Sequence, residues 1–271
     1  LLTNAELTPD LAENIALEYL KSSQENLRQH WYNFISRTIR YEDRLKEAFQ
    51  KIFRRQREEV LDNIFTDYFF DIEKWNGIIE DELIKQFTQI VETEGNIVLA
   101  QELSKSFAKQ DVIGGFDVEN PYVREITEGR ALKLSPEINV ETQQELRATL
   151  IAGHEAGESM PMLARRVQEL FDGFEDYRAL RLARTETIRS STAASEAAYL
   201  QSGVVKGKKW VTCISERTCD DCKVMNGRTA PLQQGFDTSG INADLSYTDN
   251  VLPHSPLHPN CRCCLSPILS E

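Results

Sequence analysis

AASEAAYLQSGVVKGKKWVTCI, residues 193–214, is where the chain changes character. Up to Leu200 the text is rich in Ala, Ser and Thr, and small residues such as Ala183, Ala194 and Ala198 permit close packing of a helix against its neighbours. After Gly203 the residues become β-branched and aromatic: Lys209-Trp210-Val211-Thr212-Cys213-Ile214 reads as a strand. A helical body followed by a β-rich lobe makes this an α+β chain, mostly helical.

Upstream, the helical text runs back in blocks. Glu175 to Leu200 carries Tyr177, Leu180 and Ile188, and Ser159 stands as a cap before Met160-Pro161 in a helix through Leu163, Val167 and Leu170. Proline is tolerated there because the first N–H groups of a helix have no partner. Asn139 opens a helix over Val140 to Gly153. Farther back, Asn33 to Ile72 has almost no Gly or Pro and spaces Leu45, Phe49, Ile52, Phe53, Val60, Ile64 and Phe65 three or four apart, the pattern of a long amphipathic helix. Thr8-Pro9-Asp10 marks a helix start, Asn14 to Trp31 keeps helical register, and Trp31, Tyr32 and Phe34 are expected to cluster as core at a helix junction. Ile78 to Ile90 and Ile97 to Phe107 read as two helices parted near Thr93-Glu94-Gly95. Gly114-Gly115-Phe116 and Asn120-Pro121 break the pattern, so three parts are expected: a helical arm over 1–112, a compact helical part over 113–202 and a Cys/His-rich β lobe over 203–271.

In the lobe, Val224 to Ala230 places an Asn226-Gly227 turn between two short extended pieces, and 233–257 is polar and loop-like. The lobe holds seven Lys/Arg against seven Asp/Glu, so the net charge of −12 lies wholly in residues 1–202. An acidic chain disfavours unaided binding to phosphates, which needs clustered cations. The basic run Lys51, Arg54, Arg55, Arg57 is followed at once by Glu58 and Glu59 and reads as a solvated helix face. No apolar run approaches the roughly 20 residues that span a bilayer. A start at Leu1 rather than Met suggests a fragment or processed product, compatible with an upstream partner domain.

Five of the six cysteines fall in two clusters. Cys219 and Cys222 are one pair in Arg-Thr-Cys-Asp-Asp-Cys; His258, Cys261 and Cys263 follow in His-Pro-Asn-Cys-Arg-Cys. Pairs of thiolate and imidazole two residues apart, separated by a loop of a few tens of residues, are the signature of a structural zinc site. Five candidates for four positions leave the set open: His258 ligates directly, or Cys261 and Cys263 both ligate and His258 orients them. A disulfide or redox pair, and plain buried thiols, are the competing readings. Cys213 and Cys264 read as core thiols, His30 and His154 as structural, and His254 as a turn cap. Metal closing a loop of about 35 residues would couple binding to folding.

Taken with Ala183-Arg184-Thr185-Glu186-Thr187 on a helix, then Trp210, Asn226-Gly227 and the two clusters, this text resembles the bacteriophage Mu F-like head morphogenesis family, minor capsid proteins of tailed phages. The likeness is most specific over 183–264 and extends more weakly back to about residue 125. Trp31 to Asn63, with Glu42, Phe49 and Gln56, is similar to segments that precede this domain in some phage proteins, including ones fused to portal proteins. The resemblance implies a minor component of the virion head, near the portal vertex, assembled in the host cytoplasm with portal or major capsid proteins as partners and homo-oligomerisation open. It implies that Arg184 and Glu186 pair with or orient the cysteine-rich lobe.

Two other classes compete. A zinc enzyme needs an open coordination position and a nearby acid or base, and the known templates fail: Glu155 directly follows His154, Thr218 precedes Cys219 where a deaminase has proline, and position 158 is Glu where a zincin has His. Glu186 with Arg184 is the available acid/base pair, and the expectation is that the chain is not an enzyme. A DNA reader is disfavoured by the neutral lobe, though oligomerisation could gather Lys206, Lys208 and Lys209 into a basic ring against packaged double-stranded DNA.

Overall fold

The computed structural model describes residues 9–64, 66, 70–103, 115–212, 215–216, 218–241 and 251–269. Cys213, Arg217, the proposed helix beyond residue 103 and the division at 112/113 lie outside them.

Helix α1 (Pro9–Asn63) is 55 residues long, which at 1.5 Å per residue is about 80 Å. Phe34, Thr38, Tyr41, Leu45, Phe49, Ile52, Phe53, Gln56 and Val60 are buried, a stripe three and four apart along one face. Trp31, Tyr32 and Phe34 therefore mark no junction. They lie within one continuous helix: Phe34 is buried, while Tyr32 points to solvent at 61% exposure.

Helix α2 (Ile72–Ile97) begins at Asp71, whose carboxylate accepts the Lys74 N–H at 3.0 Å, and buries Trp75, Ile79, Leu83, Phe87 and Ile90. It runs through Thr93-Glu94-Gly95, where the sequence reading placed a break, and passes into a π-helical turn at Val98–Leu103. Glu94 is fully buried and accepts the Arg37 guanidinium of α1 at 2.6 Å. Gly95 is a packing glycine, since a Cβ there would lie 2.6 Å from the Phe116 ring. An exposed Gly→Ala change inside a helix gains about 1 kcal/mol. Here Gly95→Ala is expected to cost about 1–3 kcal/mol instead, because Phe116 must move. Urea unfolding measures the sign.

A short helix α3 (Pro121–Arg124), opened by the Asn120 side chain, leads through a π-helical turn into α4 (Arg130–Glu155). Helix α4 starts nine residues before the expected Asn139 and contains Pro136, which gives up one backbone hydrogen bond. Burial of Ala131, Leu134 and Ile138 outweighs that loss. Helix α5 (Met160–Gly173) and a π-helical turn at Phe174–Arg178 lead into α6 (Ala179–Ser202), which ends at Gly203 with φ +69°. A left-handed residue at that point is the usual helix stop, and glycine carries no Cβ penalty there.

Helix α6 is the axis of the fold. Every residue from Glu186 to Tyr199 except Arg189 is buried, so neighbours cover it on all sides. On one side Phe49 and Phe53 of α1, Ile79 and Leu83 of α2, Ile138 of α4 and Phe171 of α5 share a core with Ala179 and Ala183. The rings of Phe53 and Phe171 stand 5.5 and 5.2 Å from Phe174. Two polar devices fix helix register in this core. Gln56 donates to Asn139 at 2.8 Å and Asn139 to Asn76 at 2.7 Å, a ladder across α1, α4 and α2. Arg178, buried against Phe53 and Phe174, donates to Thr142, the Ile138 carbonyl and Glu141.

Beyond Gly203 the antiparallel sheet has the order β2-β1-β5, with β1 at Val205–Val211, β2 at Thr229–Pro231 and β5 at Cys264–Leu269. Trp210 faces Leu265 and Val211 faces Cys264 in the β1/β5 register. A second antiparallel pair joins β3 (Phe236–Asp237) to β4 (Val251–Leu252). Trp210, Phe236, Tyr199, Met225 and Leu252 form the lobe core together with Val91, Val98 and Phe116. Val224 and Met225 are not extended. They lie in α7 (Asp220–Met225), because the Cys219 sulfur caps that helix and overrides their β preference. Lys208 also departs from expectation: it is fully buried and its ammonium sits 2.5 Å from Glu196, so it cannot join a surface ring of cations.

Candidate metal centre

Two turns carry the five candidate ligands. The first is the start of α7, where the Cys222 N–H donates to the Cys219 sulfur at 3.3 Å. The second is the loop before β5, where the Cys261 N–H donates to the His258 carbonyl at 3.2 Å and Asn260 takes a left-handed φ of 62°. The first turn brings both of its donors into one group, whereas the second sends His258 toward Cys219 and Cys222 and Cys261 toward Cys222 and Cys263.

The donors form two groups that share Cys222. Within each, all donor atoms lie within 4.8 Å of one another: Cys219, Cys222 and His258 in one, Cys222, Cys261 and Cys263 in the other. His258 Nε2 is 3.1 Å from the Cys219 sulfur and 3.2 Å from that of Cys222. The Cys222 sulfur is 3.8 Å from Cys261 and 3.5 Å from Cys263. A tetrahedral zinc with Zn–S of about 2.3 Å requires sulfurs ~3.8 Å apart, so these spacings suit a tetrahedral soft cation. The His258 Nδ1 lies 2.8 Å from the Pro259 carbonyl, an acceptor that places the ring proton on Nδ1 and leaves the Nε2 lone pair facing the sulfurs. The Cys222 thiol is pushed up by its hydrogen bond with Cys261, whose own titration that same bond pulls down.

The helix motif reaches this loop through Arg184 and Thr185. Thr185 Oγ1 accepts the Asn260 N–H at 3.1 Å, and Arg184 donates to the Asn260 side chain at 3.3 Å and to Glu42 of α1. Glu42 also meets Arg262 at 2.9 Å. The Trp31 indole donates to the Arg262 carbonyl at 2.6 Å, and His30 Nε2 lies 2.7 Å from the Leu265 carbonyl. Helix α1 is therefore fastened to the loop that carries His258 and Cys261. Thr185, Glu42, Trp31 and Thr212, whose hydroxyl is 3.0 Å from the Cys263 sulfur, escaped the sequence reading as parts of the site. For Glu42 a signal existed: it is a carboxylate on the apolar face of α1, beside Tyr41 and Leu45.

Glu186 faces elsewhere. Its buried carboxylate takes two hydrogen bonds from Arg130 of α4, at 2.8 and 2.9 Å, and an ion pair with Arg189 at 3.3 Å. Burial pushes its pKa up, but Arg189 and Arg130 outweigh that and hold the carboxyl below its usual range. A depressed folded pKa contributes stability that is present above the unfolded value and is lost as pH falls through the folded one. Glu186→Gln is expected to cost about 3–5 kcal/mol at neutral pH and to flatten the loss of stability below about pH 4. Urea titrations at pH 7 and below pH 4 measure both.

The remaining candidates fall outside the donor groups. Cys264 is buried against Phe34, Ile188 and Val211. His154 is exposed near the end of α4. His254 lies against the Ser255 carbonyl and Thr192, with its pKa lowered to about 4 by burial.

Residues 144–266 match the family model described as Phage Mu protein F like protein. That span runs from α4 to β5 and takes in the Arg184 helix and every donor; the family points to phage head morphogenesis. The chain is also 22% identical over 250 residues to the Uncharacterized protein YqbB of Bacillus subtilis (strain 168), covering 86% of this chain and 80% of that protein. No solved structure matches it, and no helix of the described residues is long and apolar enough to cross a membrane.

Proposed function

We propose that the chain is a minor head protein of a tailed phage that acts in capsid assembly near the portal vertex, with a structural zinc site and no catalytic turnover. The observation that carries this reading is the family match over 144–266, which encloses the whole donor cluster. In the three-part reading, residues 1–112 dock to portal or capsid protein, 113–202 form the helical body, and the lobe over 203–271 is closed by zinc held by four of Cys219, Cys222, His258, Cys261 and Cys263. The protein resides in the virion head and, during assembly, in the host cytoplasm.

A structural role for the metal is supported by the donor chemistry, since sets of Cys and His without an open water position are those of closed zinc sites. The cleft above the donors is lined by Trp31, Arg184, Thr212, Asn260 and Arg262, and among the described residues no Asp or Glu lines it. A zinc hydrolase would want a carboxylate base there. Glu186, the available acid, is occupied by Arg130 and Arg189.

The test is co-expression with the portal and major capsid proteins of the same phage, followed by gradient sedimentation. The protein should travel with assembled heads. Heads that form, mature and infect equally without it, and never contain it, would sink the proposal.

A further inference from the structure

The loop that carries His258, Cys261 and Cys263 is gripped from two sides, by the donor cluster and by helix α1. We infer that Trp31 and Glu42 are positioning residues of the metal centre, and that metal held there locks the part of α1 before Arg37 onto the lobe. This rests on the metal reading above and adds to it a coupling between the site and the helical arm, whichever four donors ligate.

Along the loop, donors alternate with points held by helices. His258, Cys261 and Cys263 offer their donor atoms to the two groups that meet at Cys222. Between His258 and Cys261, the Asn260 N–H donates to Thr185 at 3.1 Å and the Asn260 side chain accepts from Arg184 at 3.3 Å. Between Cys261 and Cys263, the Arg262 carbonyl accepts the Trp31 indole N–H at 2.6 Å. The Arg262 guanidinium meets Glu42 at 2.9 Å, and Arg184 meets the same carboxylate at 3.1 Å, so one buried acid ties α1, α6 and the loop together. Directly after the last donor, Cys264 packs on Phe34, and the Leu265 carbonyl lies 2.7 Å from His30. A shift of the backbone at Asn260 or Arg262 displaces the donors on either side, and the converse holds for donors released from a cation. Groups that orient ligands in this way are part of a metal site's affinity.

Helix α1 is held by two different cores. From Leu45 to Val60 it packs into the main helical core with α2, α4, α5 and α6, and Arg37 is anchored on the buried Glu94. Before Arg37 the outer face is solvated, with Gln24, Glu25, Asn26, Arg28 and Gln29 all exposed. Leu27, Trp31, Phe34 and Ile35 meet only a small separate cluster of Ile188, Val211 and Cys264. Cys264 and the carbonyls that face Trp31 and His30 all belong to the segment that follows Cys261. A helical stretch with few apolar contacts and a wet outer face has a low local stability of its own. Loss of the cation that steadies the loop therefore tells first on this stretch, while Leu45 to Val60 keeps its core. Linkage makes the effect reciprocal: the factor by which metal tightens α1 onto the loop is the factor by which α1 tightens the metal. Since α1 belongs to the arm assigned to docking, metal occupancy sets how much of that arm is held on the lobe.

The experiment uses the full chain, with zinc per chain measured first by elemental analysis. Hydrogen exchange read by mass spectrometry, which needs no variant to fold, is then followed with zinc bound and after its removal by a strong chelator. Peptides from 27–36 should exchange about 10- to 100-fold faster without metal, while those from 45–60 keep their protection. In chelator competition, Trp31→Phe and Glu42→Gln should each hold zinc about 10- to 100-fold more weakly than wild type. Tyr32→Ala, a change on the exposed face of the same turn, should hold it as wild type does. Faster exchange confined to 219–225 and 258–263, or spread equally over 45–60, would overturn the coupling. So would wild-type zinc affinity in either Trp31→Phe or Glu42→Gln, or an equal loss in Tyr32→Ala, which would mark a general loss of stability. Each of these results leaves a metal site in place, whereas wild type without zinc would overturn the metal reading itself.

Discussion

Replacing Cys222 with serine is expected to abolish metal retention and to lower stability more than loss of any other donor. Cys222 is the one residue shared by both donor groups, so its removal leaves neither group of three intact. It is also buried in the lobe core beside Met225, Cys261 and Trp210. A ligand present at a thousand times its dissociation constant stabilises the folded state by about 4 kcal/mol. For a chain of this size that corresponds to a fall in Tm on the order of 10 °C. Wild type treated with a strong chelator should fall toward the melting temperature of Cys222→Ser but not below it, since it keeps the buried thiol, and adding zinc back should restore only the wild type. Identical melting of wild type with and without chelator would remove the metal from the account of this fold.

The second large effect belongs to Lys208 and Glu196. The ammonium is fully buried, 2.5 Å from the carboxylate and 5.6 Å from the centre of the Phe236 ring. Burial raises the pKa of Glu196 and lowers that of Lys208, each toward its neutral form. Lys208→Ala removes the buried cation from Glu196 and leaves it only the Tyr122 hydroxyl, and is expected to cost about 3–5 kcal/mol. The double change Lys208→Met with Glu196→Leu fills the same space with apolar atoms and should come out near neutral or stabilising. Urea unfolding of the two single variants and the double gives the coupling directly. A Lys208→Ala cost under about 1 kcal/mol would mean that water reaches the pair.

What the sequence disclosed follows the range of the interactions concerned. The stripe from Leu45 to Val60 announced a helix because its cause, burial of one face, is periodic. The cysteine turns were legible because Cys219/Cys222 and His258/Cys261 are local pairs with a spacing that metal geometry requires. Gly95 misled because its neighbour Phe116 is 21 residues away in the chain and turns a helix breaker into a packing contact. Val224 and Met225 misled because a sulfur cap at Cys219, at the start of the same short helix, decides their conformation. Thr212, Trp31 and Glu42 stayed hidden for a similar reason: a hydroxyl, an indole and a carboxylate carry no sign of which distant loop they will meet.

The fastening of α1 to the last loop bears on the order in which the protein can be made. Trp31 finds the Arg262 carbonyl, and Phe34 finds Cys264, only after some 230 further residues have been synthesised. At about 5–20 residues per second that interval is roughly 10–50 s. Throughout it, α1 presents an indole, a phenyl ring and the Glu42 carboxylate to whatever else is in the cell. A message truncated before residue 262 should therefore yield an aggregating product rather than a shorter working protein. The segment from Arg262 to Leu265 thus completes the burial of α1.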